Sequence, residues 1–390
     1  MTNLGRCPKF VIRHSDYSSF LKFHNMFPET RYADWLQQLE KDLKGKPWTD
    51  LQWHLGDDIV VDPFYHPDQY FPQRLPLLAG QAKAPWAIGE SLVVGELKLG
   101  NQEILAALEG GAEALELSIS SPMITEDWAV LLENVQLEYI VLNLVLSGVN
   151  QEPGVFLEGL QHYFTKHGFE LEKLRGSVDF GQTTVPVAAL QKYLPGFKLG
   201  VVNGLDLHQG HAASVQELAG LLQAGEAYLA AASSTELETV AQSILFKVAI
   251  GKSYFVEIAK LRALHILWFN VLKAYGVQKA GLSIAAHFAP DSQDENANTN
   301  MIRAATQAMS AIIGGAQELY VLPSNVGAGE SPTPFTRRIA RNVQHLLRQE
   351  SYLDKVQDPA AGSFYVEKLT EELAEKAWKF FQQSEILTIF

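Results

Sequence analysis

The sequence predicts an α/β chain, a (β/α)8 TIM barrel carrying an N-terminal extended arm. From Trp86 onward, short apolar runs of strand length alternate with stretches of helical period, the pattern of βα units around a parallel sheet. There are eight such runs. Eight repeats over about 240 residues match the size of one closed barrel better than an open doubly wound sheet.

Residues 1–26 form a leader to which no element is assigned. Residues 27–84 form the arm: one helical pattern, ADWLQQLEKDLKG, then aromatic and Pro-rich text suited to lying against another surface. The barrel is expected over 85–350, with strands in WAIGESLVV, ALELSIS, YIVLNLVLSG, LRGSVDFG, LGVVNGLDL, SILFKVAIG, GLSIAAHF and ELYVLPSN. Between strands, Ser214 with Glu217 reads as a capping box, followed by Leu218, Leu221, Leu222 and Leu229 on one face. Ile302, Ala305, Met309, Ile312 and Ile313 repeat that spacing before Gly314-Gly315 stops the helix, so Met309 reads as core. Asn300 reads as the N-cap of that helix. Residues 351–390 are a helical segment that leaves the barrel.

Composition narrows the function classes. With 44 acidic and 31 basic side chains, the formal charge of -13 repels phosphate backbones and anionic lipid, so neither nucleic acid nor membrane is an expected partner. Cys7 is the single cysteine, which excludes a disulfide framework and fits a reducing compartment. The first thirty residues hold no apolar region of signal-peptide length, and the run at YIVLNLVLSGV is too short to span a bilayer. A soluble cytoplasmic protein is expected.

Barrels carry their functional groups where strands end, on the C-terminal face. DLHQGH, residues 206–211, lies at the end of the fifth run, and Glu90, Ser118, Ser120, Asn143, Asp179, Gln182, Lys247, His287 and Asn325 share that layer. Asp206, His208 and His211 could converge with His287 on a divalent metal for hydrolase or lyase chemistry. Their i, i+2, i+5 spacing matches no standard ligand motif, however, so loop packing is preferred and no metal is expected. Glu90 and Asp179 could form an acid/base pair, or a charge-paired or solvated rim. Lys247, inside a buried strand, needs a counter-ion, for which Asp179, Asp206 and Glu90 are candidates. Lys260 and Arg262 read as a solvated helix face.

Several blocks in one order then narrow the family. FPETRYADWLQQLEKDLKGKPWTDLQW, FVEIAKLRALHILW, NTNMIRAATQAMSAIIGGAQELYVLP, PFTRRIARNVQHLLRQE and QDPAAGSFYVEKLTEEL resemble the arm and barrel of the adenosylcobalamin-dependent acyl-CoA mutases, methylmalonyl-CoA mutase above all. The likeness runs from Phe27 to Phe390. It implies a radical interconversion of methylmalonyl-CoA and succinyl-CoA, with the acyl-CoA held in the barrel. A downstream domain presents the corrinoid through Asp-x-His-x-x-Gly.

Measured against that family, the chain departs at the working positions. Asp206-x-His208 fits half of the corrinoid signature, but His211 fills its glycine position and the stretch precedes barrel material. The chain ends just after the barrel, so the corrinoid domain is expected to be absent, either in a natural short form or because this is part of a longer protein. Ser91 stands where the family's radical-caging tyrosine would be. No arginine occurs in residues 176–206, where the family places one to grip the substrate carboxylate. The family's glutamine in the fourth strand aligns with Asp179 and its Tyr-His pair with Leu205-Asp206, which puts carboxylates where a dicarboxylic acyl group would need a cation. His287 aligns with a family histidine, as residual substrate machinery or a structural group at the barrel mouth. Bulky residues in YIVLNLVL and SILFKVAI suggest a packed lumen.

Together these departures resemble the non-catalytic small subunit of heterodimeric methylmalonyl-CoA mutases. The implied partner is a homologous large subunit, contacted by the arm, with acyl-CoA and adenosylcobalamin met only in the complex and neither bound by this chain. Glu90, Ser91, Asp179, Asp206, His208, His211 and His287 would then be a degenerate site without catalysis of its own. A catalytic barrel needing a separate corrinoid-binding chain is the alternative, and pairing of the isolated chain with itself is left open.

Overall fold

The computed structural model describes residues 30–56, 59–70, 85–149, 151–181 and 185–388, with side chains as far as 383. The leader expected at 1–26, residues 71–84 of the arm and Gln182 lie outside the described residues. The described part divides into two compact units, one of residues 30–53 with 62–70 and one of residues 54–56, 59–61 and everything from 85 onward.

In the first unit the helical pattern folds as α1, Tyr32–Asp42, with the Arg31 N–H donating to Asp34 Oδ2 at 2.8 Å. That carboxylate also complements the positive end of the helix. Aromatic text closes on it: the Trp35 ring lies 5.0 Å from Phe64 and 5.3 Å from Tyr32. Tyr32 N–H donates to Asp68 (3.1 Å) and Asp62 N–H to the Tyr65 hydroxyl (3.0 Å).

The second unit contains most of the two-stranded sheet of β1, Trp53–Gly56, and β2, Ile59–Val61. Its Gly56 sits at φ +117°, and a Cβ there would come within 2.5 Å of the Ala212 carbonyl oxygen. Only glycine allows that approach. Part of the arm text is thus seated on the loop that contains DLHQGH.

The remaining strands are β3 (Ala87–Val94), β4 (Ala114–Ile119), β5 (Val141–Leu146), β6 (Arg175–Asp179), β7 (Phe197–Lys198), β8 (Gly200–Asn203), β9 (Ile244–Ile250), β10 (Ile284–Phe288) and β11 (Glu318–Tyr320). They form one parallel sheet in the order β7-β6-β5-β4-β3-β11-β10-β9-β8, nearly closed into a barrel. All eight predicted runs are present. The fifth is split at Leu199, so β7 pairs with β6 and β8 with β9.

Alternation along each strand decides which residues face the lumen. In β4 and β5, Leu115, Leu117, Leu142 and Leu144 are buried outward beneath helices, while Ala114, Glu116, Val141 and Asn143 turn inward. The lumen's apolar layer is small: Ala114, Leu245, Ala285 and Tyr320, with Ala87 and Val141 against it. This corrects the reading of YIVLNLVL and SILFKVAI, whose largest side chains point away from the axis. Polar groups fill the lumen above that layer.

Helices α2 (Leu97–Glu109), α3 (Thr125–Leu131), α4 (Pro153–Lys166), α5 (Val187–Leu190), α6 (Ser214–Ala230), α7 (Leu237–Gln242), α8 (Tyr254–Ala274), α9 (Ala297–Ile313) and α10 (Pro334–Gln349) follow the strands, and α11 (Phe364–Thr388) packs against α8 and α6. Three local expectations are corrected here. Ser214 and Glu217 form no capping box: Ser214 Oγ donates to the His211 carbonyl at 2.8 Å, and Glu217 is drawn inward by Lys260. The cap of α9 is Asn296, whose side chain accepts the Asn298 N–H, whereas Asn300 sits one turn further on and ties Asp294 to Ser324. Its buried face is Asn300, Ala304, Gln307, Ala308 and Ala311, with Ile302 79% exposed and Met309 half-buried. Small residues let α9 approach α8 and α10 closely, so size outranked hydrophobicity.

Lys260 and Arg262 are a fourth correction. Because α11 and α6 cover α8, both side chains are buried rather than solvated. Arg262 pairs with Asp358 and with Glu367 (2.9 Å). Among the described residues no helix is long and apolar enough to cross a membrane.

Candidate functional site

Five strands send polar side chains into the C-terminal half of the lumen. Lys247 of β9 places Nζ 2.8 Å from Glu116 Oε2 of β4 and 3.6 Å from Asp179 Oδ2 of β6. Ser91 of β3 donates to Glu116 Oε1 at 3.1 Å, and the Gly181 N–H donates to Asp179 Oδ1 at 2.9 Å. His287 of β10 lies 3.5 Å from Glu116 Oε2 and stacks on Tyr320, centroids 4.4 Å apart and planes 9° off parallel. A second polar layer continues from Tyr320. Its hydroxyl donates to Glu318 at 2.7 Å, Asn143 Nδ2 donates to Glu318 and to the Tyr320 oxygen at 2.6 Å each, and Ser177 donates to Asn143 Oδ1 at 2.7 Å.

The electrostatics follow from burial set against these partners. Burial works against the Lys247 ammonium, yet the Glu116 and Asp179 carboxylates hold its pKa above the ordinary lysine value. Burial likewise opposes ionisation of Glu116, but His287, Lys247 and the Ser91 hydroxyl bring its pKa below the usual range. For Asp179, burial prevails over Lys247 and raises the pKa. Burial lowers His287 to about 4, so the ring is neutral at pH 7. The lysine is committed to its two carboxylates, and the neutral histidine adds no charge to the cluster. What faces an incoming molecule is a hydroxyl and a neutral imidazole, with the lumen-facing cation already committed.

The structure separates the residues of the sequence reading. Asp179, Ser91, Lys247 and His287 come together as described. Glu90 points the other way, out of the lumen, to Arg341 and Arg337 of α10, so it is neither a counter-ion of Lys247 nor an acid/base partner of Asp179. Asp206 is exposed and accepts a 3.3 Å hydrogen bond from Asn203; it does not reach Lys247 either. His211 is exposed. Asn325 donates to the Ser331 carbonyl at 2.7 Å.

His208 has its Nδ1 2.9 Å from Glu217 Oε2 and its Nε2 3.5 Å from Asp291 Oδ1, with 4% of the side chain exposed. So enclosed, it does not fit the role of a cobalt ligand to a large macrocycle. Among the described residues no group of three or more His, Cys, Asp or Glu is placed to hold a metal ion, and Asp206, His208, His211 and His287 do not converge.

Sequence reasoning missed Glu116, Ser177, Glu318 and Tyr320. The signal was available in ALELSIS, where Glu116 stands two residues before Ser118 and therefore on the same face. A cavity of about 330 Å³ lies at the opposite end of the barrel, lined in part by Trp86, Arg175, Glu318, Asp354 and Asp358, away from the mouth.

Residues 159–387 match the family described as methylmalonyl-CoA mutase. The chain is 31% identical to the methylmalonyl-CoA mutase small subunit of Porphyromonas gingivalis, over 92% of this chain and 63% of that protein. It is 28% identical to the methylmalonyl-CoA mutase of Rhizobium meliloti, over 92% of this chain and 58% of the other. With the small subunit of Streptomyces virginiae it shares 29% identity over 92% of this chain and 64% of the other. The chain thus spans less than two thirds of the length of these relatives.

Proposed function

The chain belongs to the methylmalonyl-CoA mutase family, and from that premise we propose that it is a non-catalytic, small-subunit barrel that pairs with a homologous catalytic chain. The observation that carries this is the state of Lys247. Among the described residues, the cation facing the lumen at the mouth is held between Glu116 and Asp179, so a methylmalonyl carboxylate entering there would meet acidic groups with no free positive charge from those residues. Ser91 and Asp179 stand at positions where catalytic relatives are expected to have a phenol and an amide. The polar layers across the lumen also leave a threaded acyl-CoA to break buried hydrogen bonds, at a cost of about 1–3 kcal/mol for each group left unsatisfied.

In this reading adenosylcobalamin and acyl-CoA are bound by the catalytic chain, and the pair works in the cytoplasm as an isomerase. The names of the Porphyromonas and Streptomyces relatives support a subunit role. Two measurements test it. Titration calorimetry of the isolated chain with methylmalonyl-CoA is expected to give no heat of binding, and copurification of the tagged chain from its native cell is expected to bring down a mutase large subunit. Micromolar binding of methylmalonyl-CoA, or turnover on adding only a corrinoid-binding chain, would instead make this a catalytic barrel.

A further inference from the structure

Among the described residues, Lys247 and Lys260 are buried and Lys198 is half-buried at the barrel's N-terminal end, and the three are treated differently. Lys247 and Lys260 are each held between two carboxylates. Lys198, in β7 at the N-terminal end of the barrel, has no carboxylate in ion-pair contact among the described residues; its Nζ donates to the Gln242 carbonyl. The Glu318 carboxylate acts on it electrostatically, against the effect of burial, and burial raises that carboxyl's own pKa.

The Lys198 side chain lines a half-open cavity of about 330 Å³ together with Gln191, Pro195, Phe197, Thr239, Gln242 and Ser243. Apart from Lys198, the lining of that cavity carries no charged side chain. Its polar groups are engaged with each other: Gln191 Nε2 donates to the carbonyls of Leu194, Pro195 and Phe197, and Ser243 Oγ donates to the Thr239 carbonyl at 2.9 Å. The wall is therefore built independently of any occupant.

We propose that Lys198 is an acylation site, modified by thioesters of small uncharged acyl groups that enter this cavity. Burial lowers the lysine's pKa, so a larger share of it is free amine near neutral pH than of a solvated lysine. With one N–H given to the Gln242 carbonyl, the amine keeps its lone pair for an electrophile. The Nζ lone pair attacks the thioester carbonyl, the C–S bond breaks, and the proton released by nitrogen goes to the departing thiolate, leaving an amide and a free thiol. A succinyl or malonyl group would carry a carboxylate into a cavity that offers it no cation, so acetyl and propionyl donors are preferred. That thioesters are the electrophile at hand rests on the mutase-subunit reading; the reactivity of the amine does not.

The test exposes the folded chain to the acetyl thioester of N-acetylcysteamine and follows each lysine by peptide mass spectrometry over time and pH. Lys198 is expected to be acetylated roughly threefold or more faster than the exposed Lys166, Lys252 and Lys279. Its pH-rate midpoint should lie below theirs, and Lys198→Arg should remove the fast phase. Equal rates and midpoints would overturn the proposal. So would a preference that persists in urea, since it would then belong to the local sequence and not to the cavity. If no mutase complex forms but Lys198 still reacts first, only the subunit reading fails.

Discussion

Lys247 and Lys260 meet the same difficulty in two parts of the molecule. Each is a buried ammonium between two carboxylates with a histidine at the edge, and in each the carboxylates raise the lysine pKa against the effect of burial. Lys260 lies under helices, with Glu217 at 3.1 Å, Glu257 at 2.8 Å and the Ala249 carbonyl at 2.8 Å, and none of the three side chains is exposed. It ties α6, α8 and β9 together, and through Glu217 it holds His208 and the DLHQGH loop. Lys247 lies at the mouth of the lumen, in groups 5–10% exposed. The comparison separates two meanings of a buried ion cluster. One fastens elements to each other, while the other fills the mouth of the lumen and, in the proposed non-catalytic reading, stands in a ligand's place.

Removing each cation in turn is the strongest way to break the comparison. Lys260→Met strands two fully buried carboxylates and is expected to cost about 4–5 kcal/mol in urea unfolding. Lys247→Met should cost less, about 3 kcal/mol, because its carboxylates keep some solvent and Asp179 is readily protonated. If the lumen cluster only stands in a ligand's place, adding Glu116→Gln and Asp179→Asn to Lys247→Met should recover most of that loss, which chemical unfolding of the triple variant would measure.

The histidines sharpen it through pH. Burial lowers both His287, in the lumen, and His265, on α8, from 6.5 to about 4. Between those values the unfolded chain holds the extra protons, so stability falls as pH drops from 6.5 toward 4 and is fully present above 6.5. The loss is on the order of 3 kcal/mol per histidine at most. Urea midpoints across that range should flatten in His287→Gln and in His265→Leu alike.

The smallest effects fall on the rim. Ser91→Ala removes one hydrogen bond to Glu116 and should cost about 1 kcal/mol. Asp206→Asn, at an exposed position, should stay within about 0.5 kcal/mol by the same unfolding assay. A larger loss at Asp206 than at Ser91 would mean that the DLHQGH loop carries more of the mouth than its geometry shows.

Much of the fold was legible because strand and helix periods are local properties. All eight strands and the helix between each pair follow from them. The errors share a cause in long-range partners. Glu217 looked like a capping residue because Ser214 stands three positions before it, but a lysine on another helix claims it. Lys260 and Arg262 looked solvated because nothing on α8 reveals that α11 will cover it. In the site, Lys247 was marked by its buried strand and Asp179 was named among its partners, but Glu116 was passed over, although alternation alone would have turned it toward the lumen. Glu90 was assigned to the wrong face of the sheet by the same neglect of parity.

By itself the sequence determined the barrel, the order of its elements, the absence of arginine from residues 176–206 and the family, since these rest on period, composition and residue order. Tertiary structure alone decided which carboxylate meets which cation. Opposite charges as far apart in the chain as Glu116 and Lys247 are brought to 2.8 Å by the closing of the sheet, and the energy of a buried pair depends on that distance and on the loss of water around it. No local pattern encodes either quantity.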